Sequence, residues 1–279
     1  MMKFLFIYLF ARILGASQAE VKQFRDHFKD TLLVIHYNHP YYDSLPFEKI
    51  LYGPIFPHIV FYGPAGEHPE VRVVPTHMGY FFSKVVADTL QTYPDFDGYI
   101  FLQDDCLMHF WNYLRLDKNK IWFCQNEIRY LLQASTQDPA GWTWWFSNPD
   151  VGMPQVLKQL PLLKESEKKQ LTLNMGENTI PGQMCDMFYL PARLAPQAER
   201  LCKVFENVFC EISIATILCC IEPLADWEKF NYFWTCGDSG QLVRSKYDPA
   251  LDWMHPMKFS LRENREFALA MFQAHFYSK

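Results

Sequence analysis

The stretch Gly98-Tyr99-Ile100-Phe101-Leu102-Gln103-Asp104-Asp105-Cys106 runs from a mostly apolar segment straight into two adjacent carboxylates. An apolar run of this length reads as a buried strand. The exit of such a strand from an open α/β sheet is where these folds hold their ligands. Two neighbouring acids at that point repel each other unless a cation lies between them. Oxygen ligands of this kind suit Mn2+ or Mg2+, and such an ion is well placed to hold a diphosphate. The stretch therefore implies a metal-dependent enzyme site for a nucleotide-sugar. The plainer alternative is a turn or helix N-cap, where Asp is common.

Upstream, Thr31 to Tyr37 is the first strong strand and ends in the loop signal Asn38-His39-Pro40. His36 and Asn38, at the end of that strand, are placed to touch a nucleotide. A short helix over Leu45 to Tyr52 precedes a second strand, His58 to Tyr62, and a third, Val71 to Val74. A helix is predicted from Met78 to Thr92, with Phe82, Val85, Val86 and Leu90 on one face. Strand and helix in alternation predict a layered α/β fold with a largely parallel sheet. Gly63-Pro64-Ala65-Gly66 lacks the glycine spacing of a dinucleotide-binding loop. A cation on Asp104 and Asp105 is then the candidate for neutralising phosphates.

Downstream, Ile121 to Cys124 reads as a strand and Gly141 to Phe146 as an aromatic run, either core or a stacking platform for a sugar. Met153 to Leu173 reads as a helix broken by Pro161. Cys185 to Pro191 is a strand with Asp186 at its entry, followed by a helix from Arg193 to Val208. Phe209 to Leu218 is an apolar helix whose one carboxylate is Glu211. A lone Glu in apolar surroundings can act as a base with a raised pKa, or it can complement the helix dipole. Lys229 to Cys236 is the last strand expected, Tyr247 to Lys258 a loop, and Leu261 to Phe276 a closing helix.

The net charge is -5, from 26 basic and 31 acidic residues, so there is no basic footprint for nucleic acid. The chain is 49% hydrophobic, which excludes a disordered polypeptide. Its 8 cysteines form no Cys-x-x-Cys pair and no zinc-type spacing. Gly237-Asp238-Ser239-Gly240 matches the nucleophile loop of chymotrypsin-like proteases, but no His adjoins a Cys and the first half alternates strand and helix, so a turn explains it better. The basic start, the apolar Phe4 to Phe10 and the small residues Ser17 and Ala19 suggest a secretory signal over residues 1–19, with one domain over 28–279.

Four short motifs together resemble the STELLO-like family, which includes plant Golgi proteins: Leu33 to Pro40, Phe101 to Asp105, Cys185 to Pro191 and His255-Pro256-Met257-Lys258. The resemblance implies a single Rossmann-like α/β domain of the A-type glycosyltransferase kind, with a mixed, mostly parallel sheet flanked by helices. It implies transfer of a sugar from a nucleotide-sugar donor to a glycan or protein acceptor in the secretory pathway. By the same resemblance Asp104, Asp105 and His255 would hold Mn2+ or Mg2+, and Lys258 would neutralise a phosphate. Glu211, or else Asp186, would be the general base of an inverting reaction. The family's Asp-x-Asp reads here as Gln103-Asp104-Asp105-Cys106. That departure keeps open a non-catalytic member acting as a partner of other glycosyltransferases. A hydrolase working on a diphosphate is a further alternative.

Overall fold

The computed structural model describes residues 17–124, 128–131, 148–237 and 240–277. The aromatic run over Gly141 to Phe146 and most of the signal-like N terminus lie outside the described residues. The helices are α1 (Gln18–His27), α2 (Leu45–Tyr52), α3 (Phe82–Thr92), α4 (Met153–Gln159), α5 (Glu165–Met175), α6 (Ala195–Val204), α7 (Cys210–Ile221), α8 (Gln241–Ser245) and α9 (Arg262–Tyr277). The strands are β1 (Thr31–His36), β2 (His58–Gly63), β3 (Val71–Val73), β4 (Gly98–Gln103), β5 (Leu107–Met108), β6 (Trp122–Cys124), β7 (Ile128–Leu131), β8 (Thr179–Gly182), β9 (Met187–Pro191), β10 (Glu228–Phe230), β11 (Tyr232–Trp234) and β12 (Trp253–His255).

Seven strands form one sheet in the order β10-β6-β9-β4-β1-β2-β3. Its pairs are parallel except those that β9 makes with β4 and β6. Side chains alternate across a strand, and both faces of this sheet are covered. Leu32, Val34, Tyr99, Phe101, Phe188 and Leu190 enter one core, built with α3, α5, α6 and α7. Leu33, Ile35, Ile100, Leu102, Met187 and Tyr189 enter the other, built with α1, α2 and α9. This double burial explains why β1 and β4 read as continuous apolar runs. The α/β class and the mixed, mostly parallel sheet agree with the sequence reading.

The chain moves outward from β1 to β2 and β3, then returns so that β4 pairs on β1's other side. The carboxyl ends of β1 and β4 therefore flank a topological switch point, where the loops part and leave a crevice. β9 runs antiparallel beside β4, so its start, and with it Asp186, reaches the same edge. The Gln103 N–H donates to the Asp186 carbonyl at 2.8 Å.

Three sequence expectations are corrected. The helix from Met78 begins only at Phe82, because His77, Met78 and Gly79 have φ values of 48°, 57° and 85°. Three successive left-handed residues make a tight turn, not a helix. The strand expected from Lys229 to Cys236 divides at Asn231 into β10 and β11, which belong to different sheets. Asn231 leaves the ladder to donate its N–H to Asp252 Oδ2 at 2.8 Å. The expected loop from Tyr247 to Lys258 contains β12, the middle strand of a second sheet, β11-β12-β5.

Ser17 caps α1: its Oγ accepts from the Glu20 N–H at 3.2 Å, and Glu20 Oε2 accepts from the Ser17 N–H at 2.9 Å. The cleavage point expected after Ala19 falls in the first turn of this helix, whose Val21 and Phe24 are core residues. Seven of the eight cysteines are buried, Cys236 is exposed, and none is bridged. Among the described residues no helix is long and apolar enough to cross a membrane.

Candidate functional site

Three elements bring their ends to the switch point. Asn38 leaves β1, and its N–H donates to Asp104 Oδ1 at 3.3 Å while its Nδ2 donates to Gln103 Oε1 at 2.8 Å. Asp104 and Asp105 leave β4. Two backbone contacts fix this corner: the Asp104 N–H donates to the His36 carbonyl at 3.0 Å, and the Met257 N–H to the Asp105 carbonyl at 2.5 Å. β12 pairs antiparallel with β5, directly after Asp105, and this pairing returns His255 to the acid corner.

His255 Nε2 lies 3.4 Å from Asp105 Oδ1 and 3.6 Å from Asp186 Oδ1. Burial works against a charged imidazole here, but the charges of Asp186 and Asp105 outweigh it and raise the His255 pKa to about 9. Burial likewise opposes ionisation of Asp105, and His255 and then Lys258 reverse that, holding Asp105 below the usual carboxylate range. Asp104 goes the other way: burial and the charge of Asp105 hold it well above that range. Asp186 is raised by burial against the pull of His255. Glu211 sits in the first turn of α7, raised well above its ordinary value by burial and by Asp186. Glu211 therefore stands at the helix start, as one of its two readings expects, and its carboxyl is held in the protonated direction.

A cleft of about 240 Å³ opens beside this corner, lined by Asn38, Ser44, Met78, Asp104, Asp105 and Lys258, among others. His36 is not part of its wall. It is fully buried, its Nε2 lies 3.3 Å from Thr76 Oγ1, and its ring stacks on Phe82 with centroids 4.7 Å apart. Burial lowers its pKa to about 3, so it is a neutral core histidine beneath the cleft. The expectation that His36 touches a nucleotide is corrected: the last position of β1 points into the core, and Asn38, two residues on, reaches the wall. Sequence reasoning also missed Glu48 and Tyr37, which lie behind Ser44; only the buried-face spacing of α2 could have flagged Glu48.

Asp105 Oδ1, Asp186 Oδ2 and His255 Nδ1 are buried without a hydrogen-bond partner. Two carboxylates and an imidazole are donors that Mn2+ accepts. The 3.4 and 3.6 Å separations that do occur run from His255 Nε2 to Asp105 Oδ1 and Asp186 Oδ1, near the roughly 3 Å between neighbouring ligands on an ion with ~2.1 Å bonds. Among the described residues, however, no group of three or more His, Cys, Asp or Glu side chains stands ready to hold a metal ion. The donor types are ones a divalent ion accepts, but as placed they do not form a ready ligand group.

The electrostatics set a direction with pH. A His whose folded pKa is raised from 6.5 to about 9 contributes stability that is complete below 6.5 and lost as pH rises through 9. Acids with raised folded pKa values, Asp104, Asp186 and Glu211, also lose their contribution as pH rises. The ion-free protein is therefore expected to unfold at lower urea at pH 9 than at pH 6. An unchanged midpoint would contradict these charge states.

No protein-family model matches the chain. It is 22% identical over 190 residues to "Probable glycosyltransferase STELLO2" of Arabidopsis thaliana, covering 67% of this chain and 24% of that protein. It is 25% identical over 172 residues to "Probable glycosyltransferase STELLO1" of the same plant, covering 62% of this chain and 22% of that protein. The chain spans about a quarter of the length of the curated relatives it matches. Its seven-stranded, mostly parallel sheet flanked by helices is consistent with a single glycosyltransferase-like domain. By motif and by alignment together, the chain is similar to the STELLO-type glycosyltransferases.

Proposed function

We propose that this protein is a metal-dependent glycosyltransferase that moves a sugar from a nucleotide-sugar to a hydroxyl of a glycan or protein acceptor. The observation that carries the reading is the Asp105–His255–Asp186 cluster, opening beside Asp104 and Lys258 at the carboxyl ends of β1 and β4. Asp105, His255 and Asp104 are the ligands proposed for Mn2+ or Mg2+. When bound, the ion would offset charge on the leaving diphosphate. Lys258, exposed on the cleft wall, adds a cation for a phosphate. Asn38 orients Asp104. Glu211 is the proposed general base for the acceptor hydroxyl, since a carboxylate with a raised pKa holds a proton better; Asp186 is the alternative. The proposed setting is the secretory pathway, from the signal-like residues 1–19.

A second reading, a non-catalytic partner of other glycosyltransferases, is favoured by Gln103 and Cys106 flanking the acids and by the lack of a ready ligand triad among the described residues. Thermal unfolding against nucleoside diphosphates, with and without Mn2+, separates the two. At a hundredfold excess over Kd the expected stabilisation is about 2.7 kcal/mol, dependent on the ion. A folded sample that responds to no nucleotide would sink the catalytic reading. Rapid nucleotide release from a nucleotide-sugar without any acceptor would replace it with a hydrolase.

A further inference from the structure

Two thiols that the proposed chemistry does not use meet beside its two candidate bases. Cys185 immediately precedes Asp186 at the entry to β9, and Cys210 immediately precedes Glu211 in the first turn of α7. The Gln183 N–H donates to the Glu211 carbonyl at 2.8 Å, so the segment leading into β9 lies along the start of α7. Cys185 is 0% and Cys210 5% exposed, both in the same core. There the thiol of one donates to the sulfur of the other.

Other buried thiols have other partners. Cys106 Sγ faces the Asp186 carbonyl at 3.8 Å, Cys124 Sγ the Met184 carbonyl at 3.3 Å and Cys219 Sγ the Met175 Sδ at 4.0 Å. Cys219 and Cys220 are consecutive in α7, where neighbouring side chains diverge around the axis. In Cys185 and Cys210 each thiol is the other's partner. Two cysteines in side-chain contact, on segments held together by a backbone hydrogen bond, are placed to form a disulfide with little backbone movement. Exchange starts from a thiolate, and the finished fold resists it. Burial holds the Cys185 thiol well above the ordinary range; the bond to Cys185 eases ionisation of Cys210, but burial outweighs it. The exchange therefore belongs to the stage of folding when the two segments are docking and solvent still reaches both.

Resting on the secretory setting above and not on the transfer reaction, we propose that Cys185 and Cys210 are a disulfide-forming pair, oxidised by a low-molecular-weight disulfide as the chain folds. One cysteine thiolate attacks the disulfide of oxidised glutathione and expels one glutathione thiolate. The second attacks the mixed disulfide and expels the other. The two thiol protons end on two glutathiones, and the electron pair lost by the cysteines reduces the glutathione disulfide. The bond ties the residue before Asp186 to the residue before Glu211. It holds together the two carboxyls proposed for proton removal, where otherwise the Gln183–Glu211 hydrogen bond joins their segments.

Refolding of the full chain in mixed reduced and oxidised glutathione tests this, followed by alkylation in denaturant and peptide mapping without reductant. The expected product has two fewer free thiols than the eight of the reduced chain, lost in one linked peptide pair that contains Cys185 and Cys210. Cys210→Ala should leave Cys185 free, and Cys202→Ala should leave the bond in place. Deuterium exchange of the Gln183 amide should slow by about tenfold in the bridged form. Thermal unfolding shows that each sample has refolded. The inference is overturned if a folded chain labels at all eight cysteines, if the bond joins any other pair, or if Gln183 exchanges equally with and without it. A folded, unbridged chain that still binds a nucleoside diphosphate overturns this inference alone. A bridged chain that binds none supports the bond and overturns the function proposed above.

Discussion

Asp105→Ala is expected to abolish the Mn2+-dependent stabilisation by nucleoside diphosphates and to lower kcat/KM with a working donor by about a thousandfold. Asp105 is the acid of the pair that stays ionised, because His255 and Lys258 outweigh its burial. Its Oδ1 is buried and faces His255 Nε2 at 3.4 Å, beyond a close hydrogen bond. Asp104 differs on both counts: Asn38 occupies its Oδ1, and burial with the charge of Asp105 favours its protonated form. Asp104→Asn should therefore lose much less than Asp105→Ala. Without ligand the Asp105 variant should unfold within about 1 kcal/mol of the parent, since it loses a partner of His255 but also a charge that strains Asp104. Thermal scans with and without Mn2+, and a transfer assay, read both effects. An Asp105→Ala protein that still gains stability from nucleotide and Mn2+ would remove the ion from this corner.

The second large effect is expected at Gly79. Its φ of +85° follows two left-handed residues, and its Cα packs directly on Asn38. A Cβ there would overlap Asn38 Oδ1 and lie 2.6 Å from Asn38 Cγ. Asn38 cannot yield freely, because it holds both Gln103 and Asp104. Gly79→Ala should cost roughly 2–4 kcal/mol, combining backbone strain with a broken buried hydrogen bond, and should weaken nucleotide binding as Asn38 leaves the cleft wall. Gly176→Ala is the control: its φ is +91°, yet nothing lies within 4 Å of the added Cβ. It should cost only the backbone term, about 1–2 kcal/mol, with binding intact. Equal urea midpoints for the two variants would show that the contact with Asn38 carries no weight.

Much of the sheet was legible because β1, β2, β4 and β9 are long enough, and apolar enough on both faces, to announce burial. The acid corner was legible for the same reason: Asp104 and Asp105 interrupt an apolar run at the point where a strand must end. Short elements were not. β12 has three residues and its partner β5 two, too few for any period to show, so the strand that carries His255 read as loop. The family resemblance supplied His255, which residue patterns alone would not have found. His36 was misplaced because alternation decides its direction and a continuous apolar run hides alternation. Met78 and Gly79 were read as the start of a helix because the stretch runs on unbroken into the apolar face of α3, while their backbone obeys the packing of Gly79 on Asn38. Glu48 was invisible because a polar residue in a short helix looks solvated until the helix is seen to be buried.

The connectivity of the sheet also fixes an order of assembly. β1 through β4 form a sub-sheet whose pairings need nothing beyond Gln103, so the Asn38–Asp104 corner can be made early in synthesis. β6 has no such option, since both its partners, β9 and β10, come later in the chain. Asp186 arrives only with β9, and His255 only with β12. Because contacts between distant parts of a chain close slowly, a partly made polypeptide carries the two leading acids without the histidine that balances them. The charge cluster is a property of the finished molecule, completed by the last of the described strands to emerge.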